Sequence, residues 1–439
     1  MQQKIQTVED LPFMPVHSDM PSHIGEIVSA GYAKYGPIFR SRTVFDDMDV
    51  VYLVGPEANR FVLSTNRLKF SHHQGWGHAF GVIGMFGNGL LTMDGAEHDE
   101  HRRMMNPAFA ISYLDRYLPI MSRLIRERSA EWLKKGTVDI YEESRRITFD
   151  IAAEALVGLK SGPEVDRFRE IFVQMLMLGM MSVSQEDYDT NLTRLKKELY
   201  SLLQPKIEER RQHPTDDVLG MLVQARDDEG RALSDEQLIA HTNILLVAGH
   251  ETSTSLSSWL LYLLVENPDY LQRVLDEQDS LLGKDEEPTL DTIKRMKVLD
   301  NALSEAERLY PPVASGPRGV VEDFEFNGYH VPAGTFVFYS IAASHLLPDI
   351  FKDPTKFDPD RFAAPREEDK KTPYALVGFG GGPRICIGIN FAQVEIKAMV
   401  AHILRHYRLE LVPNQEIIQY YRGTGMPLNG IKMHVSARK

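Results

Sequence analysis

The stretch Phe379-Gly380-Gly381-Gly382-Pro383-Arg384-Ile385-Cys386-Ile387-Gly388 contains the only cysteine of the 439-residue chain. Its three glycines and its proline predict a tight loop whose backbone can closely approach a flat ligand. Helical spacing follows over 388–406, so we expect Cys386 just before a helix N-terminus, where free N–H groups and the helix dipole lower a thiol pKa. A lone cysteine is otherwise a small buried apolar residue. The segment therefore favours a thiolate that can donate electrons to iron.

A phosphate-binding loop is the other function that a glycine run suggests. The Gly-x-Gly-x-x-Gly pattern fails here, because Pro383 occupies the last position counted from Gly378. A phosphate loop is therefore not expected.

Composition narrows the class of protein. A hydrophobic fraction of 43% and a charged fraction of 25% are those of a globular protein. The net charge is −13 and no basic block stands out, which argues against a nucleic-acid partner. A single cysteine excludes disulfides within the chain and favours a reducing, cytoplasmic location.

Membrane insertion is not expected either. Met1–Phe13 has no signal-peptide pattern. The most apolar stretches, Ile244–Ala248 and Trp259–Val265, fall short of the roughly 20 residues that a transmembrane helix needs. We therefore expect no transmembrane segment.

The hydrophobic periodicity predicts a mainly α fold with a small β region, formed as a single domain over 1–439. Short β-type runs punctuated by Gly and Pro occur over 28–65 and 313–340. Most of the remaining chain has helical spacing. The expected helices cover 113–135, 145–160, 164–182, 189–212, 234–266, 268–282, 296–310 and 388–406.

The longest expected helix, 234–266, has clear ends and an unusual middle. Ser234 and Gln237 form a capping-box pattern, and Asn267-Pro268 predicts the end. About 32 residues give a length of roughly 48 Å. Its middle, Ala248–Ser253, is polar, and a glycine with a back-bonding threonine favours a local bulge. This segment is either a functional site or a buried polar patch that satisfies itself.

The ten-residue loop resembles the haem-binding loop of the cytochrome P-450 family, whose pattern is Phe-x-x-Gly-x-Arg-x-Cys-x-Gly. Its fixed positions are matched by Phe379, Gly382, Arg384, Cys386 and Gly388. The resemblance implies the cytochrome P-450 fold, with a long central helix over a haem b (iron protoporphyrin IX). It also implies that Cys386 is the metal ligand, a thiolate that pushes electron density toward O–O cleavage. The implied activity is that of a haem-thiolate monooxygenase using O2.

The segment Glu305-Ala306-Glu307-Arg308 supports the resemblance. A carboxylate and a guanidinium at i and i+3 are usually an exposed ion pair. In the family, Glu-x-x-Arg joins an arginine from a downstream Pro-Glu-Arg-Phe segment in a buried cluster, and Pro359-Asp360-Arg361-Phe362 matches with Asp360 for the glutamate. One segment departs from the family, since His345–Pro348 lacks the usual Arg and Asp.

The polar middle of the long helix matches the family's oxygen-activating signature. The resemblance implies that Thr252 lies where dioxygen binds and that Glu251 relays protons from solvent. We expect His250 to point elsewhere and to be structural.

The haem propionates need cationic partners when they are buried. The resemblance assigns this role to His98, Arg102, Arg318 and Arg384, and it places Phe379 and Gly380 in the cofactor-binding loop. His98-Asp99-Glu100-His101 could instead hold a metal ion, but this pattern suits a solvated helix start better.

The resemblance also indicates a lipophilic small-molecule substrate, such as a fatty acid, terpenoid or steroid. The segments expected to line its pocket are His72–Leu90, Pro312–Gly316 and Thr424–Leu428, with Met175, Met177, Met180 and Met181 on a roofing helix. Methionine clusters adapt to irregular apolar guests, although core filling is an equal alternative for each one.

No reductase domain follows the cysteine, so NAD(P)H-derived electrons are expected from a separate ferredoxin, flavodoxin or reductase. An acidic partner would need a basic docking patch, for which Arg103, Lys397 and Arg405 are candidates. Two other functions stay open. A peroxide-driven hydroxylase would tend to lack the Glu251-Thr252 pair, and a haem-thiolate sensor without turnover would need no proton relay.

Overall fold

The computed structural model describes residues 6–43, 48–181, 184–283 and 286–438. Helices make up most of the described chain. In order, the α-helices are α1 (Met20–Tyr35), α2 (Pro56–Arg60), α3 (Val82–Phe86), α4 (Gly95–Met105), α5 (Ile111–Ser129), α6 (Trp132–Lys135), α7 (Ile140–Val157), α8 (Pro163–Met181), α9 (Gln185–Gln212), α10 (Val218–Gln224), α11 (Asp235–Glu266), α12 (Pro268–Leu281), α13 (Leu290–Arg295), α14 (Lys297–Leu309), α15 (Ile341–Ser344), α16 (Glu368–Lys371) and α17 (Ile389–His406).

Within the described residues, the strands are short and form four small sheets. They are β1 (Ile38–Arg42), β2 (Asp49–Val54), β3 (Phe70–Ser71), β4 (Thr137–Asp139), β5 (Ser315–Val320), β6 (Phe324–Phe326), β7 (Tyr329–Val331), β8 (Phe336–Ser340), β9 (Tyr407–Leu411), β10 (Gln419–Arg422), β11 (Thr424–Pro427) and β12 (Lys432–Ala437). The largest sheet has the order β1-β2-β8-β5-β3. Within it, β2 and β8 run parallel and the other neighbours run antiparallel. The predicted combination, a mainly α fold with a small β region, is confirmed.

The main hydrophobic core lies among the helices and is centred on α11. Trp259, Leu260 and Leu264 of that helix are fully buried. Their neighbours in the core come from α5, α7, α14 and α17. The sheet region has its own smaller clusters, built around residues such as Val337 and Phe39. Burial on nearly every side explains why α11 reads as apolar around most of its circumference.

The ends of α11 agree with the prediction. Ser234 is the N-cap, its hydroxyl accepts from the N–H of Gln237, and the Gln237 side chain accepts from the N–H of Ser234. Asn267 is the C-cap. The Thr252 hydroxyl donates to the Ala248 carbonyl at 2.7 Å, as expected of a back-bonding threonine. The predicted bulge is wrong, because α-helical residues continue through the whole segment.

The expected helix over 113–135 is two helices in the structure. α5 ends at Ser129, and the short α6 ends at Gly136, which adopts a left-handed conformation with φ +68°. That turn positions the next chain segment, β4, for pairing with β12. Across the described ranges, no helix is both long enough and apolar enough to span a bilayer.

Candidate active site

The cysteine loop is held by its backbone. The N–H of Cys386 donates to the Phe379 carbonyl at 2.8 Å, and the N–H of Gly380 donates to Val377 at 2.8 Å. Gly380 and Gly382 have φ values of +74° and +58°, which favour glycine. A Cβ on Gly382 would also lie only 2.4 Å from the Leu63 carbonyl oxygen. The predicted tight loop is therefore confirmed.

Cys386 is exposed, together with Gly382, Pro383 and Ile385 of the same loop. Burial of the surrounding segment raises the pKa of its thiol, while the Gly388 N–H and the Arg102 guanidinium act in the opposite direction. The expected lowering of this pKa is therefore wrong for the protein alone. The N-cap of α17 is Gly388, two residues beyond Cys386, so the helix contributes little more than one N–H group.

Behind the loop, Glu305, Arg308 and Arg361 form a cluster with no exposed surface. Arg308 donates to both carboxylate oxygens of Glu305, at 2.7 and 2.8 Å, and Arg361 donates at 3.1 Å. Arg361 also pairs with Glu368 at 2.7 Å. Asp360 points outward to Arg273 instead. The cluster implied by the family pattern is confirmed, and the exposed alternative is wrong.

Glu307, two residues along α14 from Glu305, faces the cysteine loop. Its carboxyl interacts with the backbone N–H groups of Gly378 and Phe379, and burial raises its pKa to about 8. His345 adds a second link, since its Nε2 accepts from the Val377 N–H at 2.9 Å and its carbonyl accepts from Arg308. Glu307 was not predicted, because only Glu305 and Arg308 of that helix match the family pattern.

Arg318 and Arg384 converge in one cationic cluster, with the imidazole of His98 beside it. Arg318 is only 3% exposed, and its guanidinium donates to the Pro317 carbonyl at 2.7 Å. Among the described residues it forms no salt bridge. Burial and the nearby Arg318 lower the pKa of Arg384 to about 10. Buried cations that are held close together are a strong indication of an anionic ligand.

The other predicted propionate partners lie beside this cluster. Burial lowers the pKa of His98 to about 4, with Arg384 adding to the effect, and His98 Nδ1 lies 2.9 Å from Asp99. The Arg102 guanidinium donates to the Ile385 carbonyl at 2.6 Å, next to the cysteine. The metal alternative for 98–101 finds no support, because no cluster of His, Cys, Asp and Glu among the described residues could hold an ion.

His72 and Asp94 were not predicted and complete the cluster. Asp94 accepts from the Ser71 hydroxyl and the His72 N–H, and it lies 3.2 Å from Arg384. Burial, followed by Arg318 and Arg384, holds the pKa of His72 well below its usual range. His72, Asp94, Arg318 and Arg384 line a cavity of about 250 Å³. His72 was named only as the start of a loop, and Asp94 carried no signal beyond its place before α4.

The residues in the polar middle of α11 lie on two different sides of the helix. Ala248, Gly249 and Thr252 keep accessible surface although the helix around them is buried. Glu251 points away, toward α7, where its carboxylate lies 3.3 Å from Arg145 Nε and 3.0 Å from His250 Nε2. Burial pushes the pKa of Glu251 upward, but His250 and Arg145 outweigh it and lower the pKa to about 2.

His250 points away from the accessible face of Thr252, as expected, but its pairing with Glu251 was not predicted. Its ring is fully buried, with Nδ1 at 2.6 Å from the Leu246 carbonyl. Helix periodicity would have separated residues 250 and 251 by about 100°, but both side chains reach α7, which packs closely along α11. Only the tertiary contact reveals the pair.

The expected substrate-pocket residues lie in varied environments. Met175 is buried in the core, Met177 is half-buried, and the side chains of Met180 and Met181 lie outside the described residues. In the hairpin of β10 and β11, the Gly425 carbonyl accepts from the Ser255 hydroxyl at 2.5 Å. This bond joins the expected pocket segment 424–428 directly to α11.

The expected basic docking patch is not supported. Lys397 is 6% exposed and donates to Asp300 at 2.7 Å, so its ammonium group forms an ion pair inside the fold and does not face a docking partner. Arg103 pairs with Asp228, and Arg405 donates to the carbonyls of Gly283 and Glu286. The patch is wrong for Lys397, because the face of α17 that carries this residue packs inward.

Comparison with known proteins identifies the class. The sequence model of the cytochrome P450 family matches residues 11–435. The chain is 34% identical to "Putative cytochrome P450 120" of Synechocystis over 88% of this chain and 86% of that protein. It is 29% identical to "Beta-amyrin 28-monooxygenase" of Solanum lycopersicum, over 97% and 90% of the two chains.

The fold gives the same answer. The solved structure "Retinoic acid bound cyanobacterial CYP120A1" superposes with a TM-score of 0.87 at 30% identity, covering 99% of this chain and 100% of that one. The chain therefore belongs to the cytochrome P450 family, as the cysteine loop predicted. Membership makes it an oxidoreductase of the monooxygenase class with haem as its cofactor.

The residues present fit a haem. The porphyrin carries two propionates, and Arg318 and Arg384 supply two largely buried guanidiniums against the single carboxylate of Asp94, with the neutral His98 imidazole beside them. In a haem-thiolate protein a cysteine sulfur is the ligand of iron, and the exposed Cys386 could supply it. The close approach of Gly382 to the Leu63 carbonyl leaves no room for a side chain at this point of the loop.

Proposed function

We propose that residues 1–439 act as one haem-thiolate monooxygenase domain that inserts an oxygen atom from O2 into an isoprenoid substrate. Cys386 is the iron ligand in this proposal. Arg318, Arg384, Arg102 and His98 hold the propionates. The observation that carries the proposal is a cluster with excess positive charge beside an accessible lone thiol, which together suit the propionates and the iron of a haem.

When bound, the haem supplies an iron centre that reductively activates dioxygen with electrons derived from NAD(P)H. The protein side chains bind, orient and deliver protons. Arg384 is anchored on the Leu90 carbonyl at 3.3 Å and paired with Asp94, so its guanidinium is fixed before any ligand arrives. Such fixed donors need little reorganisation when they bind charge.

Thr252 and Glu251 carry the protons in this proposal. Reductive cleavage of dioxygen consumes two protons at a buried site, so an acid followed by a hydroxyl is a workable relay. The Thr252 hydroxyl donates to Ala248, which leaves its oxygen lone pairs free to accept. The same pair favours turnover over the alternative of a haem-thiolate sensor, and over a peroxide-driven hydroxylase.

The substrate class rests on relatives with isoprenoid names. One relative is named as a β-amyrin monooxygenase, and one solved relative holds retinoic acid. In this chain, the segment at β10 and β11 and the accessible face of α11 at Ala248 offer apolar surface. Electrons come from a separate ferredoxin, flavodoxin or reductase in this proposal.

The test of ligation is optical. The ferrous carbon monoxide complex should show the strongly red-shifted Soret band of a thiolate trans to carbon monoxide. Cys386→His should abolish the shift because imidazole donates less charge, whereas Ile385→Val should keep it. A wild-type band at the position typical of a histidine-ligated haem would disprove the proposal.

The test of substrate class uses the ferric protein. A panel of retinoic acid, a β-amyrin-type triterpenoid and a sterol is compared with fatty acids of similar size. Binding is followed through the optical shift that accompanies loss of water from iron, and NADPH consumption is measured with added redox partners. Shifts and product from the fatty acids alone would refute the isoprenoid assignment.

A further inference from the structure

The ring of His250 lies between two acceptors. Its Nδ1 is 2.6 Å from the Leu246 carbonyl, and its Nε2 is 3.0 Å from Glu251 Oε1. A carbonyl oxygen has no proton to give, so Nδ1 must carry a proton and donate. The tautomer of the ring is therefore decided by Leu246 alone.

Counting protons then fixes the state of the pair. With Nδ1 protonated, a bond between Nε2 and Oε1 needs one further proton between those two atoms. Either His250 is an imidazolium beside a carboxylate, or it is a neutral imidazole beside a carboxylic acid. Both descriptions contain the same single proton, so the two side chains store it jointly.

The surroundings keep this proton away from water. The rings of Phe149 and Phe172 lie 4.9 and 6.5 Å from the His250 ring, and His250 itself is fully buried. Arg145 lies on the other side of the Glu251 carboxylate, with 16% of its side chain exposed. The pair thus has an apolar wall on one side and a guanidinium leading to solvent on the other.

We propose that His250 is a positioning residue for Glu251, and that the two side chains together hold one proton beside Thr252 for delivery during turnover. This inference rests on the proposed function, because it assigns a proton source to the same site. In one cycle the proton passes from His250 Nε2 to Glu251 Oε1. The neutral acid then loses its attraction to Arg145 and is free to turn toward Thr252, and a solvent proton refills the pair.

The charged and titratable groups around the pair are few. From α7 come Arg145, which pairs with Glu251, and Tyr141, whose hydroxyl accepts from Arg145 at 3.1 Å. Glu142 pairs with Arg145 at 2.7 Å from the outer side. Phe149 and Phe172, from α7 and α8, contribute no charge. A pH effect at this site therefore reports on the Glu251 carboxyl and on the Arg145 side chain that links it to solvent.

The first experiment needs no turnover. Infrared spectra of the haem-loaded ferric protein are recorded against pH, with Glu251→Gln used to assign the carboxyl band. In the wild type, this carboxyl should stay ionised to low pH. In His250→Gln, the carboxyl keeps Arg145 but loses the imidazole that shares its proton, so its protonation should move upward by at least one pH unit, equivalent to a tenfold change in proton affinity.

The second experiment follows turnover. His250→Gln should lower the rate of coupled product formation about 10- to 100-fold, a range expected for loss of a placed proton source, and should shift the pH profile. Adding His250→Gln to Glu251→Gln should cause no further loss, because His250 acts through Glu251. Thr148→Val is the matched control, since its hydroxyl touches the His250 carbonyl at 3.3 Å and Thr254 at 2.7 Å without reaching the carboxyl.

Two results would overturn the inference. One is an unchanged infrared titration of Glu251 in His250→Gln. The other is a double variant whose loss equals the product of the two single losses, which would mean that His250 acts independently. If the wild type forms no product with any partner, the proposed function fails, but the infrared titration still decides whether the pair shares a proton.

Discussion

Two groups of arginines lie near the iron-ligand candidate Cys386, and they differ in charge balance. In the first group, Glu305 accepts from the fully buried Arg308 and Arg361, and Arg361 also pairs with Glu368, so two carboxylates face two guanidiniums. In the second group, Arg318 is nearly as buried but has no salt bridge within the described ranges, and Arg384 has only Asp94, so one carboxylate faces two guanidiniums.

This difference in charge separates a cluster that supports the fold from a cluster that binds a ligand. A cluster whose charges cancel internally needs nothing more, so it stabilises the fold and holds the loop. A cluster with excess positive charge is costly until an anion arrives. Charge balance, rather than burial or residue type, therefore identifies which arginines in this protein await a ligand.

The largest expected effect lies in the balanced cluster. Glu305→Ala leaves Arg308 buried without a carboxylate partner and Arg361 with Glu368 alone, so the unfolding free energy should fall by about 3–5 kcal/mol. Urea denaturation of the haem-free protein measures this loss. Arg273→Ala, which removes only the exposed partner of Asp360, is the matched control and should cost less than about 1 kcal/mol. Equal losses of unfolding free energy in the two variants would show that the buried cluster stabilises the fold no more than an exposed ion pair does.

Glu307 sharpens the comparison because, in the described chain, it lacks the arginine partners that Glu305 has. Its folded pKa of about 8 lies above the usual carboxyl value, so the folded state binds the extra proton. Stability from this group is fully present below about pH 4.3 and is lost as pH rises toward 8. Glu307→Gln should remove this pH dependence of the unfolding free energy, which amounts to about 2–4 kcal/mol between these two pH values. Denaturation of haem-free protein at several pH values checks it, and an unchanged slope contradicts it.

Arg318→Leu tests the unbalanced cluster. Without haem, the variant should be as stable as the wild type or more stable, since a buried unpaired cation is removed. With haem, it loses a charge-assisted hydrogen bond worth about 1.5–3 kcal/mol, so haem should dissociate about 10- to 100-fold faster. Transfer of haem to a scavenging globin measures the rate. Slower or unchanged transfer would show that Arg318 does not hold the cofactor.

Asp94→Asn should have the smallest effect. It removes the charge paired with Arg384 while keeping an acceptor for the N–H of His72. Arg384 is still held by the Met93 and Leu90 carbonyls. We expect haem release to change less than about tenfold, which corresponds to less than about 1.4 kcal/mol. If Asp94→Asn accelerates haem release more than Arg318→Leu does, Arg384, the partner of Asp94, matters more for haem binding than Arg318.

Features that depend on contiguous residues were predictable from the sequence. The loop around Cys386 has its fixed residues within ten positions, and Ser234 with Gln237 defines the start of α11. The pairing of Glu305 with Arg308 follows from helical spacing, and the addition of Arg361 followed from the family resemblance. Each of these rests on local backbone geometry or a known pattern, so little tertiary information is required.

Features that depend on tertiary contacts were missed. Arg145 meets Glu251 across 106 residues only because α7 packs along α11. Lys397 was expected on the surface, but the face of α17 that carries it packs against Asp300. The thiol pKa of Cys386 was predicted from the helix terminus alone, whereas burial by the rest of the fold decides its direction.

The single exposed thiol also allows the fraction of molecules that contain haem to be measured by chemical labelling. Because Cys386 is the only cysteine in the sequence, an alkylating reagent has one possible thiol target. A sulfur bound to iron is shielded from alkylation, so the labelled fraction in an intact-mass spectrum counts molecules that lack haem. The same property means that oxidative cross-linking between two copies of the chain must pass through this site and inactivate both.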